Sequence, residues 1–424
     1  MQEILLPYGR NGMKLLLPEE RLKGVFRAPL PPGVPDPVAE VRRALDEPIS
    51  SLPLEELARG KRNAVIIASD HTRPVPSRVL IPEMLRRLRL NNPSIDITIL
   101  IATGCHRETT KAELTEKFGQ QIVENEKIAV HDSRDETMLK NVGTLPSGGE
   151  LLLNRIALET DLLISEGFIE PHFFAGFSGG RKSILPGIAA RETVLANHCA
   201  EFIASPFART GNLKNNPIHE DMLFAARRAK LAFIVNVVIN EKKSVVRAFA
   251  GHPEAAHARG CEFLSSLCKV KVPVSDIVIT TNGGYPLDQN VYQSVKGMTA
   301  GEAACREGGV ILLAASCSDG HGGEGFFRML KEMRSPQELL DRFSAVGRNE
   351  TVPDQWEAQI LARIMAKHHV ILVTHDCPHS LLEEMHLKAA SSMEEALRLA
   401  ETLTGKDSTI SVIPDGVSVI VEGV

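Results

Sequence analysis

Aromatic side chains make up only 4% of the 424 residues, with a single tryptophan at Trp356, so no platform for stacking nucleic-acid bases is on offer. Excess positive charge is missing too. The formal net charge is −5, which gives no global attraction to nucleic acid or to an anionic membrane surface and leaves a small molecule as the expected partner. Cysteine is sparse and unpatterned: seven residues, an odd number with no C-x-x-C pair, which argues against a disulfide framework and against a thiolate metal cage. A reducing, cytoplasmic setting is expected. No run approaches eighteen uninterrupted apolar residues, and the opening MQEILLPYGRNG lacks a basic segment followed by an apolar one. The glycine-rich stretch beside Lys182 fits neither the G-x-G-x-x-G fingerprint nor a Gly-Lys-Ser/Thr triplet, so an ordinary dissociable dinucleotide or a Walker-type phosphate loop finds no motif there.

What the chain does have is length and alternation. At 424 residues and 43% hydrophobic it exceeds what one core usually supports, and two domains are expected. Short β-rich runs alternate with helix-length periodic segments: RNAVIIAS, VLIPEMLRRLRL, IDITILIAT, TKAELTEKFGQQIV, KIAVHD. That rhythm predicts an α/β fold with largely parallel sheets flanked by helices. A second alternation begins near Val272, through SDIVITTNGG, a helix over VYQSVKGMTAGEAACREG, GVILLAAS, HVILVTH and SMEEALRLAETL. The expected division is a first domain at 1–270 and a second at 271–406. The β-branched 407–424 stretch with Pro-Asp-Gly is expected to form a hairpin returning to the first domain. Asn11-Gly12 between EILLPYG and MKLLLP predicts an antiparallel pair at the start.

Polar residues cluster where predicted strands have just ended, the ligand edge of an open α/β sheet. Asp70 and Arg73 follow AVIIA in a stretch where Pro74 and Pro76 forbid further pairing; an Asp-capped turn with a solvated Arg is the plainer alternative. His106 follows ITILIA and Gly104, where it can act as a base near neutral pH or merely cap the turn. The longest cluster runs from Glu170 and His172 through Gly179, Gly180, Arg181 and Lys182 to His198. A glycine-rich turn carrying Arg and Lys suits an anionic phosphate. Finally, Gln293 and Lys296 lie three apart beside Tyr292, so an amide and an ammonium share one helix face; this suits a carboxylate, or is a solvated face.

Taken in order, Ser-Asp-His-Thr-Arg-Pro, Gly-x-His-Arg, Glu-Pro-His with Gly-Gly-Arg-Lys-Ser, Asn-His and Tyr-Gln-Ser-Val-Lys-Gly resemble the lactate racemase family, and the match spans both expected domains. The resemblance implies inversion at C2 of a 2-hydroxy acid in a cleft between the domains. It implies a nickel-pincer nucleotide, a pyridinium-3-thioamide-5-thiocarboxylate mononucleotide holding nickel between two sulfurs and a carbon, received from cofactor-synthesis proteins. Carried over by position, Lys182 resembles the lysine bonded to the cofactor, His198 the remaining nickel ligand, and His106 and His172 the acid–base pair. Asp70, Gly179 and Gly180 fall at the cofactor, and Arg73, Tyr292, Gln293 and Lys296 at the substrate. The competing expectations are a 2-hydroxyacid oxidoreductase using free NAD, a zinc enzyme built on His106, His172 and His198, and a non-enzymatic cofactor carrier or small-acid sensor.

Overall fold

A computed structural model describes residues 1–424. Two six-stranded sheets organise it. The first runs Val245–Gly251, Leu231–Ile239, Leu163–Phe168, Asn63–Ser69, Asp96–Ala102, Lys127–Val130; every neighbouring pair is parallel except the hairpin of the first two. The second runs Lys388–Ala390, His369–Val373, Cys305–Ala314, Ser275–Thr281, Ile410–Ile413, Leu22–Val25 and is parallel throughout. Parallel strands covered on both faces should read as unbroken apolar runs, and they do: AVIIA of Ala64–Ala68 is buried at every position. One apolar cluster of 59 residues joins the inner faces of both sheets, from Val65 and Leu100 to Val278 and Ile311, so the two bodies share a packed contact.

Local signals explain the helix boundaries. Helix Lys111–Phe118 opens with the reciprocal Thr110–Glu113 capping box. The single helix expected over 110–123 is in fact two, Lys111–Phe118 and Gln120–Asn125, interrupted at Gly119. Helix Val291–Ala304 starts where the Asn290 side chain accepts from the Gln293 N–H. It ends earlier than its apolar periodicity suggested, because Cys305 already belongs to a strand.

Two segments differ from the sequence expectation. The Asn-Gly hairpin forms, pairing Gln2–Leu6 with Met13–Leu17, but it does not sit on the first domain. Ile4, Leu6, Leu15 and Leu17 pack with Ile277, Ile279, Val310 and Leu312 of the second sheet, and Leu22–Val25 is that sheet's edge strand. The 407–424 stretch is not a hairpin. Ile410–Ile413 is buried at every position and inserts as a parallel strand beside Ser275–Thr281, while Ile420–Gly423 pairs with Lys269–Val272. A mostly apolar run, with the Ser411 hydroxyl hydrogen-bonded to Ser275, gains more between two parallel neighbours than in an exposed two-stranded ribbon, whose outer face would stay wet. Pro414, Asp415 and Gly416 consequently form a loop at a strand's carboxyl end, held by Thr281 Oγ1 donating to the Pro414 carbonyl.

Candidate active site

The carboxyl ends of strands from both sheets open on one cleft of about 1140 Å³. The strand Asn63–Ser69 delivers Asp70 and Arg73, Asp96–Ala102 delivers His106, and Leu163–Phe168 leads to Glu170 and His172; all line the cleft. So do Lys182 and His198 from the same body, and Tyr292, Gln293 and Lys296 from helix Val291–Ala304 of the other. The residues singled out in the sequence therefore converge, although up to 226 positions separate Asp70 from Lys296 in the chain.

His106 is held from behind. Its Nδ1 lies 2.7 Å from Asp70 Oδ2, and Asp70, 1% exposed, also accepts from the Thr72 hydroxyl at 2.7 Å. Burial pushes the Asp70 carboxyl up, yet the hydrogen bonds from His106 and Thr72 and the Arg73 charge outweigh it and hold it below the usual carboxylate range. An ionised Asp on Nδ1 leaves Nε2 as the working nitrogen of His106 and stabilises the imidazolium that forms when that nitrogen takes a proton. Asp70, expected at the cofactor, lines the cleft and is in contact with His106.

His172 is in the opposite condition. Its Nδ1 accepts from the Ala175 N–H at 3.2 Å, so the neutral ring carries its hydrogen on Nε2, which lies 3.2 Å from Lys182 Nζ. Burial and then the nearby Lys182, Lys296 and Arg73 charges drive the imidazole well below its ordinary value. Burial likewise drives Lys182 far below the ordinary lysine range, helped by Arg181 and Arg73. Both rims of that contact are thus uncharged, and a neutral amine is the nucleophilic form of lysine.

His198, 6% exposed, donates from Nδ1 to the Val194 carbonyl at 2.9 Å and meets the rings of Phe174 and Trp356 edge-on. Burial brings it down to about 3. A neutral imidazole whose Nδ1–H is fixed on a carbonyl offers its Nε2 lone pair outward, the arrangement a metal-ligating histidine needs. No group of three or more His, Cys, Asp or Glu side chains comes together as a metal cage, so the three-histidine zinc expectation loses its site.

The glycine-rich turn is built differently from a phosphate cradle. Gly179 and Gly180 adopt φ of +77° and +53°, and a Cβ on them would lie 2.7 Å from Asn236 Oδ1 and 2.8 Å from the His257 ring. Glycine is required here for conformation and for packing against protein. Arg181 turns inward, fully buried, donating to the Phe177 and Ala175 carbonyls at 2.8 and 2.7 Å, with His257 Nε2 at 3.1 Å. It buckles the turn that presents His172 and Lys182 instead of facing an anion.

At the far wall Lys296 donates to Gln293 Oε1 at 2.5 Å. Tyr292, packed edge-on against Phe326, has its phenol pushed up by burial and by Glu357 and Asp354. Trp356 and Glu357, from helix Gln355–Met365, complete this wall. Neither stood out in the sequence, since their helix carries no motif; the lone tryptophan was the only available signal. Glu170 also went unassigned, although it faces Arg73, Lys296, Lys243 and Lys182.

Fold and site together define an α/β enzyme with histidine, lysine, arginine and carboxylate side chains converging in one cleft between the two sheets. Residues 8–211 match the lactate racemase N-terminal domain and residues 270–421 the lactate racemase C-terminal domain. The chain is 56% identical to the lactate racemase of Thermoanaerobacterium thermosaccharolyticum over 423 residues, 99% of each chain, and 52% identical to that of Lactiplantibacillus plantarum over the full length of both. The apoprotein structure of the T. thermosaccharolyticum enzyme superposes with a TM-score of 0.96, covering 99% of this chain and 100% of that one. A Thermotoga maritima protein shares the fold alone, at 20% identity and a TM-score of 0.65 over 91% of this chain and 98% of that one. The chain belongs to the lactate racemase family and is an isomerase, a racemase. No helix is long and apolar enough to cross a membrane.

Proposed function

We propose that this chain interconverts the enantiomers of lactate using a nickel-pincer nucleotide bonded to Lys182. The observation that carries the reading is the pairing, within one cleft, of an uncharged buried Lys182 amine with an uncharged His198 imidazole whose outer nitrogen is free. These fit the group: the neutral Lys182 amine would bond to an acyl-type arm of the nucleotide, and the neutral His198 imidazole would supply a nitrogen ligand to its nickel. When bound, the group supplies a reversible hydride acceptor at C2 of the substrate, which avoids the dianion that removing an α-proton beside a carboxylate would create.

The chain's own residues do the rest. Arg73, Gln293 and Lys296, with Tyr292 beside them, bind the substrate carboxylate and hydroxyl and keep the planar keto acid from leaving while it turns over. His106 takes the hydroxyl proton of one enantiomer at Nε2, with Asp70 stabilising the resulting imidazolium. His172 serves the other enantiomer once its ring hydrogen sits on Nδ1 and Nε2 is open, its burial among cations favouring the neutral ring. In a full racemisation the proton taken by one histidine passes by way of water to the other, which then gives it to the keto oxygen. The loaded state requires cofactor-synthesis proteins as donors. The test is intact mass together with a chiral assay: protein made alongside cofactor synthesis should carry an adduct, racemise lactate, and lose both properties as Lys182→Ala. An adduct persisting in Lys182→Ala would overturn the assignment.

A further inference from the structure

The carboxylate-binding end of the cleft contains an acid that this chemistry does not use. Glu357 lies on helix Gln355–Met365, against helix Val291–Ala304 and beside Trp356. It is 1% exposed, and its Oε1 has no hydrogen-bond partner. Lys296 is the cation in whose field it sits, yet the two make no ion pair, because the Lys296 ammonium donates to Gln293 Oε1 instead. An ionised carboxylate left unpaired at that depth is costly; it must either capture the lysine or hold a proton.

Burial drives the Glu357 acid up to about 8, opposed by Lys296 and reinforced by Asp354. The groups facing the pair can all be named. Asp354 acts on Glu357, both carboxyls act on the neutral Tyr292 phenol, and Arg73 and Glu170 act on Lys296. With the acid protonated, the ammonium keeps the Gln293 amide oxygen and the field of Glu170 but makes no ion pair, and is free for an incoming anion.

We propose that Glu357 is a positioning residue for substrate binding: as the neutral acid it leaves Lys296 free to hold the substrate carboxylate, and as the carboxylate it captures that ammonium, so substrate anion and proton bind together. This rests on the reading that Lys296 and Gln293 bind the substrate carboxylate. The linkage has a definite sign. Below the acid's titration KM is flat; above it KM rises by up to about tenfold per pH unit, while kcat does not follow.

The experiment uses cofactor-loaded enzyme and Glu357→Gln, which keeps size and neutrality but cannot ionise. KM and kcat for lactate are measured from pH 6 to 10, and oxamate, a non-reacting carboxylate, is titrated calorimetrically near pH 9 in two buffers of different protonation enthalpy. Expected is a KM rise at alkaline pH in the parent that Glu357→Gln abolishes, with KM at pH 7 within about threefold of the parent, and uptake approaching one proton per oxamate in the parent but near zero in the variant. Oxamate binding by the parent without proton uptake, absence of oxamate binding, or an unchanged KM profile in Glu357→Gln overturns the proposal. If the variant does not fold, the parent's proton uptake decides. Failure of the parent to racemise lactate while oxamate still binds with proton uptake would defeat the proposed reaction and leave this proposal standing.

Discussion

The buried Asp70 carboxylate lies 2.7 Å from Nδ1 of His106 and fixes the orientation of that ring. Asp70→Asn should therefore leave the adduct mass unchanged and lower kcat, by roughly 10²–10⁴-fold if the whole acid–base contribution of His106 depends on its orientation. Loss of cofactor loading with an unchanged rate per loaded site would instead put Asp70 at the cofactor. Because its folded-state titration is depressed, Asp70 contributes stability above the ordinary carboxylate range and loses it as pH falls through and below that range. The stability gap between parent and Asp70→Asn, followed by denaturant unfolding, should accordingly close on acidification.

Arg181 serves as a buried buckle. Arg181→Ala would strand the Ala175 and Phe177 carbonyls and open a cavity, costing about 3 kcal/mol or more in unfolding free energy. Arg181→Met, which refills the volume, should recover part of that loss. Equal stability of parent and Arg181→Ala would show that the inward hydrogen bonds carry no weight.

How far the sequence reached follows from what each signal encodes. Apolar runs such as Ala64–Ala68 announce buried parallel strands whatever their partners, so alternation and fold class were readable. Which sheet a strand joins depends on contacts across the whole chain, and for that reason Leu22–Val25 and Ile410–Ile413 ended in the second sheet. The site residues stood out because dense polar clusters follow strand ends. Arg181 and Asp70 show the limit: the residue type was visible, but the direction of the side chain was not. Glu357 lay beyond reach, since a glutamate on a helix between hydrophobic residues looks solvated until the facing helix is known.

His198 has one ring nitrogen committed to the Val194 carbonyl and one free. His198→Ala in loaded protein should retain the organic adduct on Lys182 but lose most of its nickel on dialysis, measured as metal per adduct. Unchanged nickel stoichiometry would mean that His198 is a packing residue between Phe174 and Trp356.

The two histidines should separate in partial reactions. In single-turnover experiments with one enantiomer at a time, His106→Ala should form keto acid from one hand of lactate and His172→Ala from the other, while full racemisation falls roughly 10²–10⁴-fold in both. If both variants oxidise both hands at the parental rate, neither imidazole is the base.

Hydride transfer itself is most directly tested with L-lactate deuterated at C2, incubated with loaded enzyme in ordinary water and stopped at low conversion. The proposed chemistry moves the C2 hydrogen as hydride to a carrier shielded from water and back, so the D-lactate formed should keep its deuterium. D-Lactate that has exchanged C2 deuterium for solvent hydrogen would contradict the account and point to removal of a proton.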